Sequence, residues 1–254
     1  MKIVFLGSGN VATNMSIAMQ NAGHAVMQIY NHRIESAKLL AEELKCSYTD
    51  QLTDISVQAE VYVISVKDDV IEELAKQLSI SGKVVVHTAG SVPMEALSAA
   101  TTNFGVLYPL QTFTKGRLLD FKTIPLFVEA ADERTLAIIK ELANTISSSV
   151  KEADFEQRKI LHLSAVLACN FVNHLYDLSQ DLLKVYQLDF DALRPLVLET
   201  ALKVQKMNPH EGQTGPARRN DQLVIAKHLQ LLSNNVPLKN IYTILTDSIV
   251  KSYQ

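Results

Sequence analysis

The chain has 254 residues, of which 47% are hydrophobic and 20% charged, with 9 Gly, 7 Pro, 2 Cys, no Trp and a formal net charge of -3. A glycine share about half of the usual ~7% excludes collagen-like, loop-rich and low-complexity classes. A charge this close to neutral argues against a nucleic-acid-binding protein, which normally carries a basic surface.

Two features of the sequence bear on the compartment. The apolar run at residues 3–6 is too short for a signal-peptide core, and no stretch of about 18 apolar residues occurs, so no membrane contact is expected. Cys46 and Cys169 form no CxxC motif and support neither a disulfide framework nor a zinc site. We therefore expect a soluble, cytoplasmic protein without a bound metal.

In the first 150 residues, short β-rich runs alternate with amphipathic segments. This alternation is typical of a parallel sheet wound with helices, so we predict a Rossmann-type doubly wound α/β domain over residues 1–152. The predicted strands are residues 2–6, 25–30, 61–66, 83–87, 104–108 and 124–128, and the predicted helices between the early strands are residues 10–22, 33–44 and 70–78.

The pattern changes after Asp154. Residues 155–186 have apolar side chains at helical spacing and neither Gly nor Pro, which predicts one helix of about 30 residues, roughly 45–50 Å long. We predict an all-α domain over residues 153–254 and, because one small domain cannot cover so long a helix, a homodimer packed through the helical halves. Further helices are predicted at residues 190–206, 216–232 and 237–251, the last two with Pro216 and Pro237 at their first positions.

A glycine-rich turn follows the first predicted strand and begins the first predicted helix. Gly7 permits the tight turn, Gly9 lets the backbone approach a pyrophosphate, and Ala12 is small where helix packs on strand. The alternative is a strand–helix turn without a ligand. The residues predicted to bind the cofactor pyrophosphate are Gly7, Ser8, Gly9, Asn10, Val11 and Ala12.

The end of the second predicted strand reads Tyr30-Asn31-His32-Arg33. NAD-specific proteins carry an acidic residue there for the ribose hydroxyls, whereas Arg33 suits a 2′-phosphate, so Asn31, His32 and Arg33 favour NADP. The alternatives are that Arg33 only begins a solvated helix, or that another dinucleotide or a methyl donor binds. Two further strand ends lie where open sheets bind ligands, and they add Ser65, Val66, Lys67, Thr88, Ala89 and Gly90 to the predicted cofactor contacts.

The order of these pieces resembles the superfamily that joins a Rossmann domain to an all-helical C-terminal domain, as in pyrroline-5-carboxylate reductase, 3-hydroxyisobutyrate dehydrogenase and 6-phosphogluconate dehydrogenase. More narrowly, the chain is similar to a bacterial family of Rossmann-like NADP oxidoreductases with a C-terminal domain of unknown function. The resemblance implies an NADP-dependent oxidoreductase with a 6-phosphogluconate dehydrogenase-like helical domain. It rests on residues 7–12, on His87-Thr88-Ala89-Gly90-Ser91, on Tyr108-Pro109-Leu110-Gln111-Thr112-Phe113, on residues 162–173, and on Thr214-Gly215-Pro216-Ala217-Arg218-Arg219-Asn220-Asp221.

One departure from this resemblance concerns catalysis. In the hydroxyacid dehydrogenases of the superfamily, a Lys four residues before an Asn assists proton transfer at the reacting oxygen. Here Val166 and Cys169 occupy the positions four residues before Asn170 and Asn173. That device is therefore not carried over, although imine chemistry stays open because pyrroline-5-carboxylate reductase also lacks this Lys.

A polar stripe runs along the helix predicted at residues 155–186. At about 100° per residue, His162, Asn173 and Asp177 share one face, with Asn170 at its margin. Because a buried amide without partners costs about 1–3 kcal/mol, the stripe is expected to meet water, a ligand or a partner. His162 is a candidate general acid, since imidazole titrates near neutral pH; the alternative is a packed core or interface histidine.

Arg218 and Arg219 fall in the first turns of the helix predicted to begin at Pro216, where the helix dipole disfavours cations. A bound carboxylate or phosphate would explain them, with Asp221 orienting one Arg; the alternative is a surface ion pair of little worth. Further proton-donor candidates at strand ends are His87 and Tyr108.

Taken together, the sequence predicts an NADP-dependent reductase or dehydrogenase that transfers a hydride to or from a small, anionic substrate. The alternative is a non-catalytic NADP-binding or redox-sensing protein, which the missing Lys favours. The residues predicted to carry the chemistry are His162, Asn170, Asn173, Arg218 and Asp221.

Overall fold

The computed structural model describes residues 1–78 and 80–254. The N-terminal part of the chain folds into an eight-stranded sheet among these residues. Its strands are β1 Lys2–Leu6, β2 Ala25–Tyr30, β3 Ser47–Thr49, β4 Val61–Ile64, β5 Val84–His87, β6 Phe104–Pro109, β7 Leu126–Ala130 and β8 Val150–Glu152.

The sheet has the strand order β3-β2-β1-β4-β5-β6-β7-β8. Strands β1 to β6 are parallel, whereas β7 pairs antiparallel with β6 and parallel with β8. The order of the first six strands is that of a dinucleotide-binding Rossmann sheet, in which the strand order reverses between β1 and β4. The predicted doubly wound α/β fold is therefore confirmed.

Alternating side chains of β1 divide the core between the two faces of the sheet. Ile3 and Phe5 pack in one cluster with Met15 and Met19, whereas Val4 and Leu6 belong to a second cluster on the other face. This alternation follows from the period of two in a strand, and both faces are covered because helices follow most of the parallel strands.

The helices of the described residues agree with the predicted ones in the first half and differ at several points after it. The α-helices are α1 Asn10–Asn21, α2 Ile34–Leu44, α3 Ile71–Gln77, α4 Glu133–Ile146, α5 Phe155–Ala165, α6 Phe171–Val185, α7 Arg194–Lys203, α8 Gln222–Leu231 and α9 Val236–Ser252. Helix α4 and the edge strands β3 and β8 were not predicted; each of these strands has only three residues, too few for an alternating pattern.

The helical stretch predicted at residues 155–186 is not a regular α-helix. Helix α5 begins with a capping box between Asp154 and Gln157, and the π-helical segment Val166–Asn170 separates it from α6. A π turn holds more residues than an α turn, so residues beyond it are rotated from their expected positions. The uniform 100° spacing from which a shared face of His162, Asn173 and Asp177 was predicted therefore does not apply across Val166–Asn170.

The chain divides into two compact units, Met1–Asn170 and Phe171–Gln254, and the second unit contains α6 to α9. The helix predicted to begin at Pro216 begins instead at Gln222, after a turn over residues 216–220. Asp221 caps this helix by accepting a hydrogen bond from the Val224 amide at 3.2 Å. Gly215 has a φ of 99°, a left-handed conformation that suits glycine and ends the regular structure before the turn.

None of the helices in the described residues is both long enough and apolar enough to span a membrane. Within residues 1–78 and 80–254, no group of three or more His, Cys, Asp or Glu side chains is arranged to hold a metal ion.

Candidate functional site

The glycine-rich turn lies at the carboxyl end of β1, between β2 and β4. Gly7 has a φ of 118°, and its amide donates a 2.7 Å hydrogen bond to the Tyr30 carbonyl. A β-carbon on Gly7 would lie 2.0 Å from the Ser65 carbonyl oxygen. Both the backbone conformation and the close approach of β4 therefore require glycine at this position.

Gly9 has a different environment. It caps the start of α1 without a side-chain hydrogen bond, and a β-carbon added to it would meet no atom within 4 Å. The first amides of α1 therefore have no side-chain cap, and open space lies beside them. An open helix N-terminus attracts anions, so the residues of this turn fit a pyrophosphate group.

Asn31 connects the end of β2 to the glycine-rich turn. Its side-chain amide donates to the Ser8 hydroxyl at 2.8 Å, and its Oδ1 accepts from the Arg33 amide at 2.9 Å. These two bonds place Ser8, Asn31 and the backbone of Arg33 in one neighbourhood. His32 and Arg33 are exposed, and Arg33 forms no ion pair within the described part of the chain.

The ends of β4 and β5 meet through two side chains that the sequence placed at the site. The Thr88 hydroxyl lies 3.1 Å from the Ser65 hydroxyl, and the Ser65 amide donates to the Leu6 carbonyl at 2.7 Å. Val66 is half-buried beside Gly7, whereas Lys67 is exposed. Of the predicted residues in this group, Ser65, Val66 and Thr88 are thus brought to the glycine-rich turn.

The loop after β5, residues 88–93, is held by the imidazole of His87. The Ala89 amide donates to Nδ1 at 3.2 Å, so Nδ1 carries no proton and Nε2 donates to the Pro93 carbonyl at 3.3 Å. Burial, followed by the charge of Arg158, lowers the pKa of His87 to about 4. His87 is therefore neutral near pH 7, and its ring supports the loop from within the fold.

Gly90 in this loop packs against the ring of Tyr108 at the end of β6. A β-carbon on Gly90 would lie 2.7 Å from Cζ of Tyr108. The hydroxyl of Tyr108 is 3.1 Å from Nδ1 of His162 on α5, and the two rings are edge to face. Burial, followed by the charge of Asp68, raises the pKa of Tyr108 to about 12, so the phenol stays protonated. Two of the predicted proton-donor candidates therefore form a pair.

The sequence did not single out Arg158, whose side chain is fully buried on α5. Its Nη1 pairs with Glu129 on β7 and donates to the Ala153 carbonyl at 3.2 Å, and its Nη2 donates to the Val92 carbonyl at 3.0 Å. Arg is almost never fully buried unless it is paired. From the sequence alone Arg158 looks like any exposed residue in the first turn of an amphipathic helix.

A second connection that the sequence missed joins α1 to the loop between β6 and β7. The Asn10 side chain donates to the Phe113 carbonyl at 3.0 Å, and Oδ1 of Asn14 accepts from the Leu119 amide at 3.0 Å. This loop therefore lies beside the first turn of α1. The side-chain amide of Asn10 therefore binds this loop.

The remaining predicted residues are exposed or serve other contacts. Asn170 ends the π-helical segment and Asn173 lies on α6; both are exposed. Arg218 lies in the turn before α8, where its guanidinium is 4.2 Å from the centre of the Tyr253 ring. The expectation that Arg218 and Arg219 occupy the first turns of a helix is wrong, because Asp221 is the cap of α8 and these residues precede it.

Comparisons with known proteins agree with this geometry. The profile described as NADP oxidoreductase, coenzyme F420-dependent, matches residues 2–90, and that of a domain of unknown function, DUF2520, matches residues 124–249. A search of the curated proteins found no significant match.

Solved structures gave closer matches. A Bacteroides fragilis protein described as a "putative NADP oxidoreductase" is 43% identical, with 98% of each chain covered and a TM-score of 0.92. A Thermotoga maritima protein is 24% identical, covering 99% of this chain and 98% of that one, with a TM-score of 0.74. The 1-pyrroline-5-carboxylate reductase of Streptococcus pyogenes is 16% identical, with 99% and 98% covered and a TM-score of 0.62. The last two similarities show the fold alone.

The B. fragilis protein is similar over nearly the whole of both chains, and the two profiles match an N-terminal and a C-terminal part of this chain. The chain therefore belongs to the family of Rossmann-like NADP oxidoreductases that carry the C-terminal domain of unknown function.

Proposed function

We propose that the protein is an NADP-dependent reductase or dehydrogenase in which His162, oriented by Tyr108, exchanges the proton that accompanies hydride transfer. The observation that carries this proposal is the 3.1 Å contact between the Tyr108 hydroxyl and Nδ1 of His162. Tyr108 stands at the end of β6, a strand parallel to β1, so the pair belongs to the same edge of the sheet as the open glycine-rich turn.

The cofactor is held by the chain's own turn. The uncapped amides of α1 after Gly9 receive the pyrophosphate, and Arg33, which is exposed and free of ion pairs among the described residues, receives the 2′-phosphate. Asn31 acts mainly through Ser8, because both ends of its amide are already hydrogen-bonded. When bound, the nicotinamide supplies or accepts the hydride.

The protein supplies the proton. With Tyr108 bonded to Nδ1 of His162, Nε2 of the imidazolium form is the ring nitrogen left to donate a proton to the oxygen or nitrogen of a substrate group as its carbon receives the hydride, and the ring is then neutral. The exposed ring then regains a proton from solvent. In the oxidative direction the same atom accepts the proton. Tyr108 keeps its own proton because its pKa is raised to about 12.

Arg218 is the residue that we propose for an anionic group of the substrate. Its guanidinium is stacked over Tyr253, which limits its rotamers while the N–H edges stay available for a planar carboxylate or a phosphate. Asn170, Asn173 and Asp221 complete the proposed set of residues that contact substrate; for Asp221 the helix cap is its observed role.

The helical half also supports the proposed homodimer. Within Phe171–Gln254 the buried residues are Gly212, Ala217, Ile225, Leu232 and Thr246, so these helices have almost no core of their own. Leu223 is 79% exposed and Val185 75% exposed. Exposed apolar surface on this scale marks an interaction face, and a second copy is the proposed occupant. A monomeric mass by light scattering at micromolar concentration would contradict this.

We also propose a cytoplasmic location and a division into domains at residues 152/153.

Cofactor choice is tested by titrating NADPH and NADH fluorescence against the wild type and an Arg33→Glu variant. We expect the variant to lose at least about tenfold in NADPH affinity, roughly 1.4 kcal/mol, with little change for NADH. Lys38→Glu, on the exposed face of α2, is the matched charge control. An Arg33→Glu protein that still prefers NADPH would refute the 2′-phosphate contact.

Turnover is tested by NADPH oxidation across a panel of keto acids and imines, and by NADP reduction with hydroxy acids. We expect one class to react, and His162→Ala to lower kcat by about a hundredfold or more, the usual contribution of a general acid. Tight NADPH binding with no turnover on any panel member would favour the alternative, a cofactor-binding or redox-sensing protein.

A further inference from the structure

Arg158 is the largest fully buried side chain of the described residues, and three separate parts of the fold contact it. Glu129 on β7 balances its charge, the Ala153 carbonyl after β8 accepts from Nη1, and the Val92 carbonyl after β5 accepts from Nη2. One guanidinium therefore connects α5 to both the antiparallel edge of the sheet and the loop over its parallel part.

Stability alone does not account for this arrangement. Nε of Arg158 is buried without a hydrogen-bond partner among the described residues, which carries a desolvation cost. Buried ion pairs of this kind are often no more stabilising than apolar side chains of similar size. What the guanidinium supplies, and an apolar side chain does not, is a fixed orientation between the groups that it connects.

The loop on one side of Arg158 is the one that packs on Tyr108. Val92 is two residues after Gly90, whose backbone lies against the Tyr108 ring. Three hydrogen bonds hold this loop: one from Nη2 of Arg158 to the Val92 carbonyl, and two made by the His87 ring. Gly90 is thus fixed as the surface against which Tyr108 rests.

The helix on the other side of Arg158 carries His162. Residues four apart in an α-helix lie on one face, so Arg158 and His162 occupy the same face of α5, one turn apart. We propose that Arg158 is a positioning residue: by joining α5 to the Val92 carbonyl, it holds His162 at hydrogen-bonding distance from Tyr108. A role of Arg158 in catalysis rests on the proposed function, whereas its effect on the contact between Tyr108 and His162 does not.

The test reads this contact directly, by long-range ¹H–¹⁵N correlation of the His162 ring at mildly alkaline pH, where free imidazole is neutral. His162→Gln assigns the signal, and Tyr108→Phe gives its position when the hydrogen bond is lost. The variants are Arg158→Met, which removes all three contacts, and Arg158→Lys, which keeps the charge near Glu129 but lacks a second nitrogen for Val92. Lys159→Met, at a half-exposed neighbouring position on α5, is the matched control.

We expect the His162 ¹⁵N shifts of Arg158→Met to move to the Tyr108→Phe values, those of Arg158→Lys to move about half as far, and those of Lys159→Met to stay at wild type. If Arg158→Met does not fold, the Arg158→Lys result decides. Wild-type shifts in a folded Arg158 variant would overturn the proposal. NADPH titration of the wild type is run alongside and tests the proposed function separately. The ¹⁵N shifts of the His162 ring can be measured whether or not the protein binds NADPH, so a failure of one proposal is distinguishable from a failure of the other.

Discussion

The carbonyl oxygen of Ser65 occupies the space that a β-carbon on Gly7 would need, at 2.0 Å from its position. The two residues directly follow neighbouring parallel strands, β1 and β4, at the point where the strand order of the sheet reverses. A β-carbon added to Gly9, two residues further along the chain, would meet no atom within 4 Å. The two glycines of the turn therefore serve different purposes, one for the fold and one for a ligand.

Gly7→Ala is expected to lower the free energy of unfolding by roughly 2–5 kcal/mol, because it combines a left-handed φ of 118° with a backbone clash. Gly9→Ala is expected to leave stability within about 0.5 kcal/mol of wild type while weakening NADPH binding, because its methyl group would fill the proposed pyrophosphate space. Urea unfolding and NADPH fluorescence titration measure the two effects. Equal losses of stability in both variants would contradict this division.

Gly90→Ala is expected to displace the Tyr108 ring, since the new methyl group would lie 2.7 Å from Cζ and 3.0 Å from both Cε atoms. The overpacking should cost about 1–3 kcal/mol of unfolding free energy and move the His162 ring ¹⁵N signal toward its Tyr108→Phe position. The neighbouring Ser91→Ala, at an exposed site, is the control for loop substitutions. An unmoved His162 signal in folded Gly90→Ala would show that the ring is not held by this contact.

His87 is expected to make the protein less stable in mild acid. Its pKa is lowered to about 4 in the folded state, against ~6.5 for an unfolded histidine, so the unfolded state binds the extra proton between these pH values. Stability should therefore fall as the pH falls from about 6.5 to about 4, by about 2 kcal/mol between pH 7 and pH 5. Urea unfolding at these two pH values measures the loss.

The control for this prediction is His87→Gln, which keeps polar atoms at the site and cannot take up a proton in this range. The variant is expected to be less stable at pH 7 and to lose about 2 kcal/mol less than wild type between pH 7 and pH 5. A wild-type pH dependence in His87→Gln would assign the acid sensitivity to other groups.

Tyr253, which follows helix α9, is expected to stabilise the turn that carries Arg218. Its ring lies 4.2 Å from the His210 ring centre, its hydroxyl donates to the His210 carbonyl at 2.5 Å, and Arg218 stacks over it. Tyr253→Ala should cost about 1–3 kcal/mol, and Tyr253→Phe about 1 kcal/mol because the phenyl ring still stacks. Thermal unfolding compares them with Tyr186→Ala, an exposed tyrosine. Equal losses in Tyr253→Ala and Tyr186→Ala would contradict a specific role.

The sequence identified what depends on short-range patterns. The run of apolar residues in β1, the glycines that follow it and the helical spacing from Asn10 determine a strand, a turn and a helix within about twenty residues, and the same kind of pattern recurs along the sheet. Helix α9 with Pro237 in its first turn was predicted for the same reason. The helix start predicted at Pro216 was wrong because proline also fits a turn. Five residues later, the Asp221 side chain caps the start of helix α8.

By itself, then, the sequence determined the Rossmann-type sheet, the change to helices after Asp154 and the resemblance to NADP oxidoreductases. Only the tertiary structure decided that Tyr108 and His162, 54 residues apart, form a pair, and that Arg158 is buried against Val92 and Glu129. The physical reason is the separation along the chain of the residues that interact. Strand and helix periods are determined by neighbouring residues, whereas the partner of a polar side chain depends on how the sheet brings distant segments together.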